Sequence, residues 1–188
     1  MGIVLLVVLV LLAVWGVSMY NGLISLRNQV ENALKQIDVQ LKRRHDLIPN
    51  LVSSVKGEMK YEQETLTKVI EARAAALGAG KSGDISEIAA KEGALTAALG
   101  KLIALSENYP QLKANANVSK LMEECTHTEN QIGFSRQFYN DVATKFNTKQ
   151  QMFPTNIFAS MLGFKPAQLW ELPPGSAERE NVKVDLTF

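Results

Sequence analysis

An all-α fold is predicted by three observations. Apolar residues after the first twenty positions recur three and four apart, which is the helical period. Twelve glycines, six prolines and 7% aromatic content in 188 residues are too few for a many-stranded sheet protein or a disordered linker. The single cysteine, Cys125, excludes a disulfide scaffold.

No charged side chain occurs before Arg27. The run Ile3 to Tyr20 is rich in Leu and Val and closes with Trp15 and Tyr20, where an aromatic belt would lie. As a helix it is about 27 Å long, close to the hydrocarbon thickness of a bilayer. A cleaved signal peptide is the rival, but it wants a basic start, and no Lys or Arg precedes the run. Residues 1–22 are therefore expected to be a transmembrane anchor that meets the lipid bilayer through residues 3–20. N-myristoylation is excluded by Leu6, where the pattern wants Ser or Thr. Arg27, Lys35, Lys42, Arg43 and Arg44 all follow the anchor, so the N-terminus is expected outside and the domain in the cytoplasm.

Residues 23–164 should form one helical domain. Leu23, Leu26, Val30, Leu34, Ile37, Leu41, Ile48, Val52, Val55, Met59, Leu66, Val69, Arg73 and Leu77 trace one seam almost to Gly78. Pro49 removes an N–H and crowds the carbonyl of His45, which predicts a kink near Pro49. A turn at Gly78 to Gly83 leads to a second helix, capped by Asp84 or Ser82 and ended by Pro110. A third helix begins near Asn115 or Asn117 and runs toward Phe153, and Pro154 opens a short one that Gly163 stops. The expected architecture is thus an N-terminal transmembrane helix followed by a long antiparallel helical bundle, with residues 165–188 as a tail.

Lengths raise a question of coverage. A first helix from Asn21 to Leu77 would span about 85 Å and a second from Asp84 to Tyr109 only about 39 Å. The stripe from Leu23 to Leu41 is expected to need the C-terminal segment, a second copy of the chain or another membrane protein. On the second helix, Ala89, Gly93, Ala97, Gly100 and Ala104 form a side-chain-poor stripe suited to close backbone approach. The candidate interaction surface accordingly comprises Leu26, Val30, Leu34, Ile37 and Leu41, with Gly93, Ala97 and Gly100. Arg43, Arg44, Asp46 and Asn50 join it as a polar interchain contact around Pro49, where the freed His45 carbonyl needs a donor. The alternative for Lys42 to Arg44 is a solvated helical face.

Other chemistry finds little support. Gly78-Ala79-Gly80-Lys81-Ser82 resembles the end of a phosphate loop, but Ala75 stands where Gly is required and no strand precedes it. Glu124 and His127 have di-iron spacing without the second Glu-x-x-His motif that such bundles use. One Cys and two His scarcely supply a zinc site. Cys125 reads better as a buried small hydrophobe and His127 as a surface or boundary residue. No catalytic, cofactor-binding or metal-binding residue is expected, and a net charge of +1 argues against nucleic acid as a partner. The alternation of Val182, Val184, Leu186 and Phe188 suits an added strand or a peptide-binding groove, or a tail packed on its own bundle.

From Tyr20 to Gly57 the chain closely resembles the LemA family of bacterial membrane-anchored proteins, above all at Ile37-Asp38-Val39-Gln40-Leu41-Lys42-Arg43-Arg44 and Asp46-Leu47-Ile48-Pro49-Asn50. The likeness resumes at Glu107 to Glu124, His127 to Asn147 and Phe153 to Phe164. Leu34, Glu58 and Ser135 depart from residues common in the family. The resemblance implies a single-pass N-terminal anchor in the bacterial cytoplasmic membrane, an extracytoplasmic N-terminus and a long antiparallel helical domain. It supplies no agreed activity and no catalytic residues. Family members are often encoded beside a membrane metalloprotease or TPM-domain proteins, which implies a membrane protein partner of that kind and a role in envelope quality control. The expected function is a scaffold or adaptor at the bilayer, self-assembling as a homo-oligomer, with a membrane-remodelling protein as the alternative and a hydrolase or metalloenzyme as a further one.

Overall fold

The computed structural model describes residues 1–171, and the tail residues Val182 to Phe188 lie outside the described part. Six helices are found there, α1 (Gly2–Val55), α2 (Gln63–Ala79), α3 (Ile85–Ser106), α4 (Pro110–Ala114), α5 (Ala116–Gln151) and α6 (Thr155–Met161), and no strand occurs among the described residues. The protein is all-α.

Two compact units are distinguished among the described residues: residues 1–38 with 134–169, and residues 39–133 with Trp170 and Glu171. In the second unit α2 and α3 pack together as a hairpin. Gly83 makes the turn with φ of 74°, a left-handed conformation that glycine adopts without a Cβ penalty. Asp84 caps α3 by accepting from the Ser86 N–H at 2.9 Å. At the start of α5 the Asn115 side chain does the same for the N–H groups of Asn117 (3.1 Å) and Val118 (3.4 Å). The core of this unit joins Ile48, Leu51, Val55, Met59, Val69, Leu95, Leu99, Leu102, Leu112, Val118 and Cys125. Buried side chains of this size contribute roughly 1.5–3 kcal/mol each.

One expectation is corrected here. The first helix does not continue to Leu77; α1 passes through Pro49 and ends at Val55, and the chain leaves helical geometry between Val55 and Gln63. Interior proline costs about 3 kcal/mol, partly because it orphans the carbonyl four residues back. Here the Nε–H of Arg73 donates to the His45 carbonyl at 2.9 Å, so the orphan is satisfied from α2 within the same chain. Gly57, a poor helix former, sits at the actual break.

In the first unit the seam of α1 is already covered. Leu23 and Val30, Ala33 and Ile37 are 0–8% exposed, as is Leu41 in the second unit at 6%. The stripe that the first two helices could not cover is therefore covered by a later part of the same chain. The cause is α5, whose 36 residues make a helix of about 54 Å that the comparison of the first two helices left out. Its buried residues in this unit are Tyr139, Val142, Ala143 and Phe146. The chain after α6 is tied back to the same helix. Asn147 donates from Nδ2 to the Ala167 carbonyl at 2.9 Å and accepts from the Ala167 N–H at 2.8 Å. The Tyr139 hydroxyl donates to the Gln168 carbonyl at 2.7 Å, and burial pushes its pKa up, which keeps that proton in place.

A buried polar cluster and an open groove on the first helix

Arg44 is fully buried, and its position explains how. In α1 it stands between Leu41 and Ile48 at the spacings of three and four that define the core stripe. On α3, Glu92 holds the matching place between Ile88 and Leu95, and on α5 Glu129 lies between Cys125 and Ile132. Three helices thus each insert one charged residue into an apolar seam, and the three meet.

The Arg44 guanidinium donates from Nη2 to a carboxylate oxygen of Glu92 and, at 3.3 Å, to the Glu92 backbone carbonyl. Its Nη1 donates to Glu129 Oε1 at 2.6 Å and to the Thr96 hydroxyl at 2.7 Å. The Thr96 proton has Glu129 Oε2 at 3.0 Å and the Glu92 carbonyl at 3.1 Å within reach. His45 Nε2 lies 2.9 Å from the second Glu92 oxygen, where it donates because an ionised carboxylate only accepts. Burial pushes the Glu92 pKa up, but the His45 hydrogen bond and the Arg44 charge outweigh it, so the carboxyl ends below its ordinary value and ionised. Among the described residues Arg44 Nε and His45 Nδ1 have no hydrogen-bond partner.

Cys125 lies beside this cluster. Burial first, then the charge of Glu129, pushes its thiol up to about 11, against a smaller opposing effect of Arg44. A thiol so placed is a buried hydrophobe rather than a nucleophile. His127 is exposed. Glu124 pairs with Arg43 instead of joining a metal set. Among the described residues no group of three or more His, Cys, Asp or Glu is placed to hold a metal ion.

The residues of the candidate surface separate into two sets. Arg44, Val30, Ile37, Leu41 and Gly93 are buried within the chain, and Leu26 and Leu34 are half-buried. Arg44 in particular is not an interchain contact, because its hydrogen bonds go to α3 and α5 of its own chain. The others stay open. Arg43, Asp46 and Asn50 are exposed and, with Val39, Lys42 and Leu47, line a shallow groove of about 400 Å³ on α1. Val39 is 64% exposed there. Ala97 and Gly100 are exposed on α3, and a Cβ on Gly100 would meet nothing within 4 Å, so the small-residue stripe is not packed against a neighbour along its second half.

Glu92, Thr96, Glu129 and Arg73 were not identified from sequence as a cluster. The signal was present: Arg44, Glu92 and Glu129 fill core positions of helical stripes, and a charge at such a position needs a partner.

Residues 1–17 of α1 are exposed except for Gly16, which is half-buried, and the helix contains an apolar window of mean hydropathy 2.8 that is 6% buried. By length and composition it can cross a membrane. The LemA family model matches residues 33–186. Protein LemA of Metamycoplasma hominis is 29% identical over 170 residues, covering 88% of this chain and 73% of its own length. Magnetosome protein MamQ 2 of Paramagnetospirillum magneticum is 23% identical over 178 residues, covering 82% of this chain. Magnetosome protein MamQ of Magnetospirillum gryphiswaldense is 21% identical over the same share. The chain spans 65% of the length of these two MamQ proteins.

Proposed function

The chain belongs to the LemA family, and we propose that it is a membrane-anchored helical adaptor that acts through protein contacts at the bilayer. The observation that carries this reading is the continuity of α1: one uninterrupted helix holds the charge-free anchor and, further on, the Arg44 lock and the exposed groove. The groove begins at Val39, 19 residues after Tyr20 on that helix, so the anchor and the groove belong to one continuous element of the chain.

Contact rather than catalysis is favoured by how the polar groups are used. The carboxylates and guanidinium at Arg44 bind one another inside the core, and the Cys125 thiol is held protonated. The groove instead presents Val39 and Leu47 between Lys42, Arg43, Asp46 and Asn50, an apolar centre with a polar rim, which is the make-up of a protein interface. Its occupant is a second copy of the chain or another membrane protein. Fixing all copies in one bilayer raises their effective concentration, so a small contact suffices. The domain lies in the cytoplasm, on the side where Arg27 and Lys35 follow the anchor.

Purification of the full chain in mild detergent, with mass measurement and identification of bound proteins, tests the proposal. A complex, of copies or with a membrane protein, is expected; a monomer without partners would overturn it.

A further inference from the structure

A second charge-free stretch lies far from the anchor in sequence and beside it in space. Between Lys149 and Lys165 no residue is charged, and this stretch contains α6. Its inner side faces the anchor. The Phe158 ring stands edge-on to Trp15 with centroids 6.3 Å apart, and a Cβ on Gly16 would meet that ring at 3.7 Å. Its outer side carries large apolar side chains as well: Met152, Phe153, Ile157, Met161 and Leu162 are 51–80% exposed. A short helix with one face packed and the other in water would carry mainly polar residues outward. On α6 the exposed polar residues Asn156 and Ser160 share that side with Ile157 and Met161, so the face is mixed.

Depth along α1 gives the reason. Trp15 precedes Tyr20 by five residues, about 7.5 Å on the anchor side of the expected aromatic belt. Phe164 lies against Tyr20, with ring centroids 6.2 Å apart, and the Arg27 guanidinium carbon is 5.8 Å from the Phe164 centroid. The segment therefore descends from the level of Arg27, past the belt, to the level of Trp15. That depth is where interfacial helices lie, about 5–10 Å into the boundary of headgroups and acyl chains. Lys149 and Lys165, both exposed, bracket it where anionic headgroups would meet them.

We propose that the segment from Gln150 to Phe164 is immersed in the leaflet from which α1 emerges, a second lipid contact beside the anchor. The exposed side chains of α6 are then solvated by acyl chains, and the bundle is held to the bilayer at two points. One point permits rotation about the helix axis; two fix which face of the first unit looks along the membrane. The inference rests on the anchor reading, and the test separates the two.

Single cysteines introduced by Ile157→Cys, Met161→Cys, Thr144→Cys or Leu9→Cys in the full chain carrying Cys125→Ala are labelled with NBD. Each protein is reconstituted into phosphatidylcholine–phosphatidylglycerol vesicles with or without doxyl-labelled lipid. The expected result is severalfold stronger doxyl quenching and a blue-shifted emission at positions 157 and 161 than at Thr144, which is exposed on α5. Quenching of the 157 and 161 labels by aqueous iodide instead would overturn the proposal, and protection from both quenchers would assign the surface to a second copy of the chain, which also overturns it. The label at position 9 reports the anchor alone, so its quenching with the other two unquenched leaves the anchor standing and the second contact refuted.

Discussion

Replacing Arg44 by Ala removes the guanidinium that pairs with both Glu92 and Glu129. Glu92 is 2% exposed, and after the substitution its carboxylate retains His45 alone. Glu129, with a side chain 20% exposed, can turn toward water and recover part of its solvation. Breaking a buried ion pair from one side costs about 3–5 kcal/mol, and the freedom of Glu129 places this case near 3 kcal/mol. For a chain of this size each kcal/mol lowers Tm by roughly 2–4 °C, so a drop of about 6–12 °C is expected by circular dichroism in detergent. The double replacement Arg44→Met with Glu92→Leu removes both charges and should recover much of the loss. Acid should act on the same pair. The folded-state pKa of Glu92 lies below its ordinary 4.5, so its contribution is complete above that value and is lost as pH falls through the lower folded value. Glu92→Gln should flatten this acid limb. A change in Tm below about 2 °C for Arg44→Ala would refute the reasoning, since it would mean that the buried carboxylates do not need the guanidinium.

Three further outcomes are expected. Arg73→Met should cost about 1–3 kcal/mol in urea unfolding, because it leaves the His45 carbonyl orphaned beneath Pro49; no measurable cost would show that water replaces it. Cys125, held at a pKa of about 11, should resist a thiol-reactive dye at pH 8 in the folded protein, where about one thiol in a thousand is ionised, and react fully on unfolding. A cytoplasm-active reporter fused after Phe188 should work and an export-dependent one should not; the reverse pattern would place the domain on the other side of the membrane.

The fold was legible wherever helical period and punctuation agreed. Asp84, Asn115 and Gly163 mark helix ends in the sequence and do so in the structure, whereas Pro110, expected to end the second helix, opens α4 after α3 has already ended at Ser106. The donor that lets α1 pass through Pro49 was not legible, because a proline's cost is set by whether the orphaned carbonyl finds a partner, and that partner, Arg73, is 28 residues away. Counted among the apolar seam residues, Arg73 was in the right place for the wrong reason. The partners of Arg44 were hidden for a related cause. A seam is recognised by its apolar members, so Arg44, Glu92 and Glu129 read as interruptions on three separate helices, and only tertiary packing shows that they interrupt at the same point. The cover over Leu23 to Ile37 was missed by pairing the first helix with the second alone, although the length of α5 was open to view. Val39, Asp46 and Asn50 stand on the exposed side of the same helix, and no periodicity argument says what meets them.

The central claim is that the groove at Val39, Asp46 and Asn50 is where this protein touches another. A photo-crosslinking amino acid at position 39, activated in intact membranes and read by mass spectrometry, tests it most directly. The account predicts a protein adduct at that position, to a second copy or to a membrane partner, and its loss on Asp46→Lys while the helical content is unchanged. A position 39 that reacts only with water, in chains that remain folded and membrane-bound, would contradict it.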